Sequence, residues 1–249
     1  MFMLRVAMSP ECVALWSRDE KNLEQTELAE RDPDIDSLPP ILFNGRINIL
    51  NDFYDIAEKC DAMLHRIDTT EEKIVPIGFD LEWPFSFQTG SGKTALAQIC
   101  LSEELCYLFH IYDILKLPTS FIMLLSHPKV KLVGVNIKND IWKLGRDFTE
   151  FPAKKVVENN CFDCGPFANI VYKRSCRWSL ERLTAYVLRK KISKNSQVRR
   201  SKWHIQPLND AQKLYAATDA YVSLLLHMTI QKKADRLTLS EKTENINSE

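Results

Sequence analysis

The chain has no long hydrophobic run. Nothing in its 249 residues approaches the roughly 18 consecutive apolar residues of a membrane-spanning helix, so no membrane association is expected. The N-terminal stretch MFMLRVAMSPECVALW is interrupted by Arg5, Pro10 and Glu11 and lacks the unbroken apolar centre of a secretory signal, which implies an intracellular protein. Net charge is absent too. The 33 Lys and Arg balance 33 Asp and Glu, so any nucleic-acid partner must be held by a local basic patch rather than by a global field. There are no internal repeats and no low-complexity tracts. The cysteines number seven, an odd count without an export signal, and read as reduced packing residues. Cys161 and Cys164, with Cys176 and His204 downstream, lack the second tight ligand pair of a structural zinc site. The segment GSGKT at 90–94 lacks the glycine that a phosphate-binding GxxxxGK loop needs, because that position is Phe87, and it lies between two strand-like runs rather than before a helix. It reads as a hairpin.

What is present is a 45% hydrophobic chain able to bury a substantial core. Residues 1–37, rich in charge from Arg18 to Asp36, are read as a disordered N-terminal segment, and 233–249 as a polar C-terminal tail. The folded body is expected over 38–232. Within it, 41–50 reads as a strand followed by a helix. Runs 74–83, 94–101 and 105–111 read as neighbouring strands, with Glu103 and Glu104 turning the last two into a hairpin. After a helix around TSFIMLLSH come a strand at 131–137, a short helix beginning near Asn139 and a weak strand in VVENNCFDC. Two further helices precede a final one at 209–232, for which Asn209 and Gln212 have capping-box spacing. Such an order gives an α/β fold, a mixed β-sheet flanked by α-helices, with chemistry at the carboxyl ends of its strands.

Two short motifs carry that chemistry. In IVPIGFDLEW, Asp80 and Glu82 are two apart on an apolar strand, so both side chains point to one face at the strand's end. In QKLYAATDAY, Tyr215 and Asp219 are four apart on a helix and also share a face. Asp219 is the only charge between Lys213 and Lys232. Converging carboxylates repel one another unless a cation lies between them, and hard oxygen ligands point to Mg²⁺. Metal-assisted phosphodiester chemistry is the corresponding expectation. Each element also has a plainer reading: a solvated strand end, a half-buried helix tyrosine, a surface aspartate. Asp140, in the first turn after the strand KLVGVNI, suits a helix dipole as readily as a metal. The stretch 189–202, RKKISKNSQVRRSK, has seven basic residues and no acidic one. It is either a solvated loop or a phosphate-backbone contact made by Lys190, Lys191, Lys194, Arg199, Arg200 and Lys202. Trp142 and Trp203 read as core residues, with a base-stacking face as the alternative for Trp142, two residues from Asp140.

Together these motifs resemble the DEDD-type 3′→5′ exonucleases of the tyrosine variety. The first motif corresponds to Asp80 and Glu82, the second to Asp140, and the third to Tyr215 and Asp219. The resemblance is closest to the exonuclease domain of the Werner syndrome protein, whose pattern FDLEWP, CYLFH, GVNIKNDIWKLGRDF, WSL and QKLYAATDAY follows in order over about 38–232. CFDCGPFANI and residues 1–37 fit it poorly.

The resemblance implies a ribonuclease H-like fold and two divalent ions, Mg²⁺ or Mn²⁺. Asp80 would bridge both, Glu82 and Asp219 would complete one site, and Asp140 would act on the second ion through water. Tyr215 would orient the attacking water, and Trp142 would lie beside the terminal nucleotide. The implied activity is removal of nucleoside 5′-monophosphates from DNA 3′ ends, in the nucleus and in genome maintenance. The length leaves no room for an accompanying helicase, which implies a stand-alone nuclease. An exoribonuclease resembling ribonuclease D, with RNA as substrate, and a catalytically inactive nucleic-acid-binding module are the alternatives.

Overall fold

The computed structural model describes residues 32–193 and 195–246. The expectations attached to residues 1–31 and to Lys194 lie outside the described residues. The first described residues are docked on the body. Asp32 accepts hydrogen bonds from Arg174 (2.5 Å) and Arg182 (2.6 Å), and a 3₁₀ turn spans Ile35–Ser37.

Six strands form a mixed sheet in the order β1 (Arg46–Leu50), β6 (Leu105–His110), β5 (Leu96–Ser102), β2 (Val75–Glu82), β7 (Val130–Gly134) and β8 (Cys161–Asp163). β2, β5 and β6 are consecutive neighbours joined antiparallel, as the three apolar runs imply, while β1–β6, β2–β7 and β7–β8 are parallel. A separate two-stranded hairpin, β3 (Phe85–Ser86) with β4 (Gly90–Ser91), projects between β2 and β5.

Helices cover both faces. One face carries α1 (Phe53–Thr69), α2 (Thr119–Leu125), α3 (Ile137–Asp147) and α4 (Ala153–Asn159), packed on Ile77, Phe79, Leu81, Ile99 and Phe109. The other carries α5 (Cys164–Val171), α6 (Leu180–Leu188), the short α7 (Ser196–Arg199) and the long α8 (Asp210–Ile246), over Leu96, Cys100, Leu108 and Val133. Each fully buried Leu, Ile or Phe contributes roughly 1.5–3 kcal/mol relative to exposure. Two such layers offset the burial of several charges at the sheet's centre.

Local chemistry explains most boundaries. Asp52 caps α1, accepting from the backbone N–H of Tyr54 (2.8 Å) and Asp55 (3.2 Å). The capping box of α8 forms reciprocally: the Asn209 N–H donates to Gln212 (3.0 Å) and the Gln212 N–H to Asn209 (2.9 Å).

Four expectations are corrected. β1 begins at Arg46, not at residue 41, because the preceding segment follows α8 instead of the sheet, with Phe43 N–H bonded to Thr218 Oγ1 (3.1 Å). β7 stops at Gly134, since Asn136 takes a left-handed conformation (φ 60°) that turns the chain straight into α3. VVENNCFDC is divided between the end of α4 and β8. Finally, α8 does not end at Lys232 but runs to Ile246, so the polar stretch from 233 is helical that far. It contains no proline or glycine to stop it.

Candidate active site

Alternation along β2 separates its side chains by chemistry. Ile77, Phe79 and Leu81 enter the core under α1 and α3, while Gly78, Asp80 and Glu82 face α8. At Gly78 the helix is at its nearest: a Cβ built there would lie 2.0 Å from the Ala220 carbonyl oxygen and 3.0 Å from Leu224 Cβ. Small residues line the helix opposite, with Ala216, Ala217 and Ala220 fully buried. The close crossing brings Asp219 onto the first-motif residues. Ligand oxygens of Asp80, Glu82 and Asp219 all lie within 4.8 Å of one another, the arrangement among the described residues suited to a metal ion.

The electrostatics are those of a site built for a cation. Burial pushes the Asp80 carboxyl up to about 7, against the pull of the Leu81 backbone N–H and of the Arg199 guanidinium. Glu82 stands well above the usual carboxylate range, first from burial and then from repulsion by Asp80 and Asp219. Asp219 is raised by burial and by Asp80, while the Tyr215 hydroxyl and Arg199 draw it down. The Tyr215 hydroxyl is held firmly protonated by burial and by the Asp219, Glu82 and Asp80 charges. Like charges so close together favour a divalent cation with hard oxygen ligands. Gln98 supports the fit. It pairs in register with Asp80, is fully buried, and neither its Oε1 nor its Nε2 has a partner among the described residues. Hydration around an ion is the kind of partner such an amide needs.

Asp140 lies in the first turn of α3, as its position in the sequence implies, but outside the three-carboxylate cluster. Burial raises its carboxyl well above the usual range and repulsion from Asp80 adds to the shift, so the two groups share one field. Trp142 is 42% exposed, whereas Trp203 is fully buried against Tyr215, ring centroids 6.1 Å apart. Trp203 is thus core and Trp142 is not.

The same helix α3 anchors the hairpin that follows Glu82. Lys143 is buried and donates to the Gly92 carbonyl (2.7 Å) and to Asp147, which in turn accepts from the backbone N–H (2.7 Å) and hydroxyl (2.6 Å) of Thr94. Burial alone would raise the Asp147 carboxyl, but these bonds hold it below its ordinary value. Lys93 donates to the carbonyls of Tyr112 (2.8 Å) and Ile114 (2.7 Å). The GSGKT lysine is therefore committed to the protein's own backbone, in agreement with a hairpin. At the hairpin's outer end Phe85 and Phe87 are 49% and 87% exposed and packed edge to face at 5.4 Å.

Of the basic stretch, Lys190, Arg199, Arg200 and Lys202 are exposed. Lys191 is tied down: its ammonium donates to the Asp36 carbonyl (2.7 Å), and its backbone pairs with Pro39 and Ile41. Gly78, Gln98 and Lys143 do not stand out in the sequence reading. The signal for Gly78 is nonetheless there, since an isolated glycine inside a strand marks close backbone approach. Gln98 and Lys143 carry no comparable mark.

Residues 54–235 match a family described as 3′-5′ exonuclease. A Drosophila melanogaster protein named 3′-5′ exonuclease is 43% identical over 198 residues, covering 80% of this chain and 56% of that protein; a Drosophila ananassae counterpart is 41% identical over 215 residues, 86% of this chain and 60% of the relative. The chain thus spans little more than half the length of these curated relatives. Among solved structures, Trypanosoma brucei RNase D in complex with RNA U12 aligns with TM-score 0.58 at 18% identity, over 76% of this chain and 63% of that one. Brucella melitensis NrnC bound to pGG aligns with TM-score 0.55 at 18% identity, over 82% and 88%. At that identity they establish the fold alone, a ribonuclease H-like mixed sheet flanked by helices. With the carboxylates, the tyrosine and the fold in agreement with the match over 54–235, the chain belongs to the 3′-5′ exonuclease family.

Proposed function

We propose that this chain is a metal-dependent 3′→5′ exonuclease that removes nucleoside 5′-monophosphates from DNA 3′ ends. The observation that carries the reading is the convergence of Asp80, Glu82 and Asp219, with Tyr215 one turn before Asp219 on α8. In this reading Asp80, Glu82 and Asp219 hold a divalent ion, Mg²⁺ or Mn²⁺, and Asp140, in the same field but further out, serves a second. The ions, when bound, supply Lewis-acid charge for the attacking and leaving oxygens. Hydrolysis adds water across the last phosphodiester. The water oxygen bonds to phosphorus and gives up a proton, while the 3′-oxygen of the penultimate nucleotide leaves and takes up a proton from solvent.

The protein's own residues supply orientation. Tyr215, kept protonated, is suited to orient the attacking water. Trp142, Phe85 and Phe87 offer exposed rings on which unpaired bases stack without regard to sequence. Lys190, Arg200 and Lys202 offer charge for the backbone. DNA is preferred on the resemblance of the motif text to the exonuclease domain of the Werner syndrome protein, and the same resemblance assigns the enzyme to the nucleus and to the upkeep of DNA ends.

The test uses 5′-labelled DNA and RNA strands with recessed 3′ ends, incubated with Mg²⁺ or Mn²⁺ beside an Asp80→Ala control. A ladder shortening from the 3′ end of DNA, absent in the control, supports the reading. Shortening of RNA alone transfers it to an exoribonuclease, and binding without cleavage of either strand leaves a nucleic-acid-binding module.

A further inference from the structure

Arg199 differs from the other cations of the basic stretch in where it is held. It is the last residue of α7, whose N-terminus is capped by Asn195, accepting from the backbone N–H of Gln197 (3.0 Å) and Val198 (3.3 Å). The Trp203 indole N–H donates to the Arg199 carbonyl (3.1 Å), and Trp203 is fully buried against Tyr215. Gln212, in the first turns of α8, donates to Ser201 (2.9 Å). The backbone at Arg199 is thus fixed, through Trp203, to the Tyr215 ring, one turn before Asp219 on α8. Its side chain is the opposite: exposed, with no hydrogen bond or ion pair among the described residues. Its charge draws down the carboxyls of Asp80, Glu82 and Asp219.

An unpaired guanidinium on a rigid mount, beside but not bonded to three carboxylates, is arranged for a ligand that brings negative charge. Resting on the exonuclease reading, we propose that Arg199 is a catalytic residue whose guanidinium engages a non-bridging oxygen of the phosphodiester being cleaved. As water adds to phosphorus, charge accumulates on those oxygens, and a donor already in place stabilises it without reorganising. The planar fork suits the task better than an ammonium.

Two measurements test this. In single-turnover cleavage of 3′-recessed DNA at saturating concentration, Arg199→Gln lowers the rate about 10²-fold, the usual loss for one donor to a transition-state oxyanion. Arg199→Lys recovers part of it. Arg200→Gln lowers affinity, and the control Lys154→Gln, an exposed lysine of α4 outside the site and the basic stretch, leaves the saturated rate unchanged. The second measurement is equilibrium binding in a Glu82→Gln background to DNA whose last linkage is either a phosphodiester or an uncharged methylphosphonate. The penalty of Arg199→Gln disappears on the uncharged linkage, while that of Arg200→Gln persists. An equal Arg199→Gln penalty on both linkages, or an unchanged saturated rate, overturns the assignment. An unmodified chain that leaves every 3′ end intact overturns the exonuclease reading instead, and the binding comparison still decides whether Arg199 meets the terminal phosphate.

Discussion

Gly78 and the Ala220 carbonyl meet so closely that a single added carbon at Gly78 would sit 2.0 Å from the oxygen. This approach sets the height of α8 above β2, and hence the distance between Asp219 and Asp80. Gly78→Ala forces the helix away at the point where the carboxylates converge. The expected outcome is loss of Mn²⁺ affinity and of turnover together with a lower Tm, because backbone is the obstacle and has no rotamer to escape into. Calorimetric Mn²⁺ titration and thermal unfolding check it; an unchanged Mn²⁺ affinity would show that the crossing does not set the site.

Asp80→Asn and Glu82→Gln keep shape and remove a ligand charge. Turnover is expected to vanish in both. Stability without metal is expected to move the other way, and pH gives the sign. Asp80 titrates at about 7 in the folded chain against a reference of 3.8. Between those values the folded state holds the extra proton, so metal-free stability falls as pH rises through the window and is lowest above it. Asp80→Asn should therefore raise Tm at pH 8 and change it little at pH 4. Each 1 kcal/mol moves Tm by roughly 2–4 °C in a chain of this size. Mn²⁺ should stabilise the unmodified protein more at pH 8 than at pH 5. Differential scanning fluorimetry across pH, with and without Mn²⁺, reads both effects, and a metal-free Tm flat from pH 4 to 8 would refute them.

Tyr215→Phe should slow single-turnover cleavage by roughly 10²- to 10⁴-fold, the range for a positioned proton-transfer or water-orienting group. The ring stays packed on Trp203, so DNA affinity and Tm should hold. An unchanged rate would reduce Tyr215 to a packing residue.

The order of the main elements and the convergence of Asp80, Glu82 and Asp219 were legible because their signals are local. Alternation puts Asp80 with Glu82, helical spacing puts Tyr215 with Asp219, and Asn209 with Gln212 marks a helix start. What was not legible is non-local. The extension of α8 to Ile246 had no apolar stripe to announce it, and the lifting of residues 41–45 off the sheet depends on Thr218, far along the chain. Lys143 looks like any surface lysine of an amphipathic helix until the hairpin closes over it. Arg199 is one of several basic residues in sequence, and only the mount provided by Trp203 distinguishes it.

The remaining cations of that stretch give the last prediction. Lys190, Arg200 and Lys202 are exposed. Replacing all of them with Gln should weaken nucleic-acid binding with little regard to sequence. For every phosphate that is no longer neutralised, the slope of log K against log salt should become shallower by about 0.7–0.9. Cleavage at saturating substrate should survive. Lys191 is best left in place, because its ammonium and backbone hold the segment from Asp36 to Ile41, and its removal would mix a folding effect with a binding one. Since positive and negative residues are equal in number, no diffuse field can mask the change. Fluorescence anisotropy over a salt series makes the measurement. An unchanged slope would move backbone recognition to another surface and leave this stretch as the connector that carries Arg199.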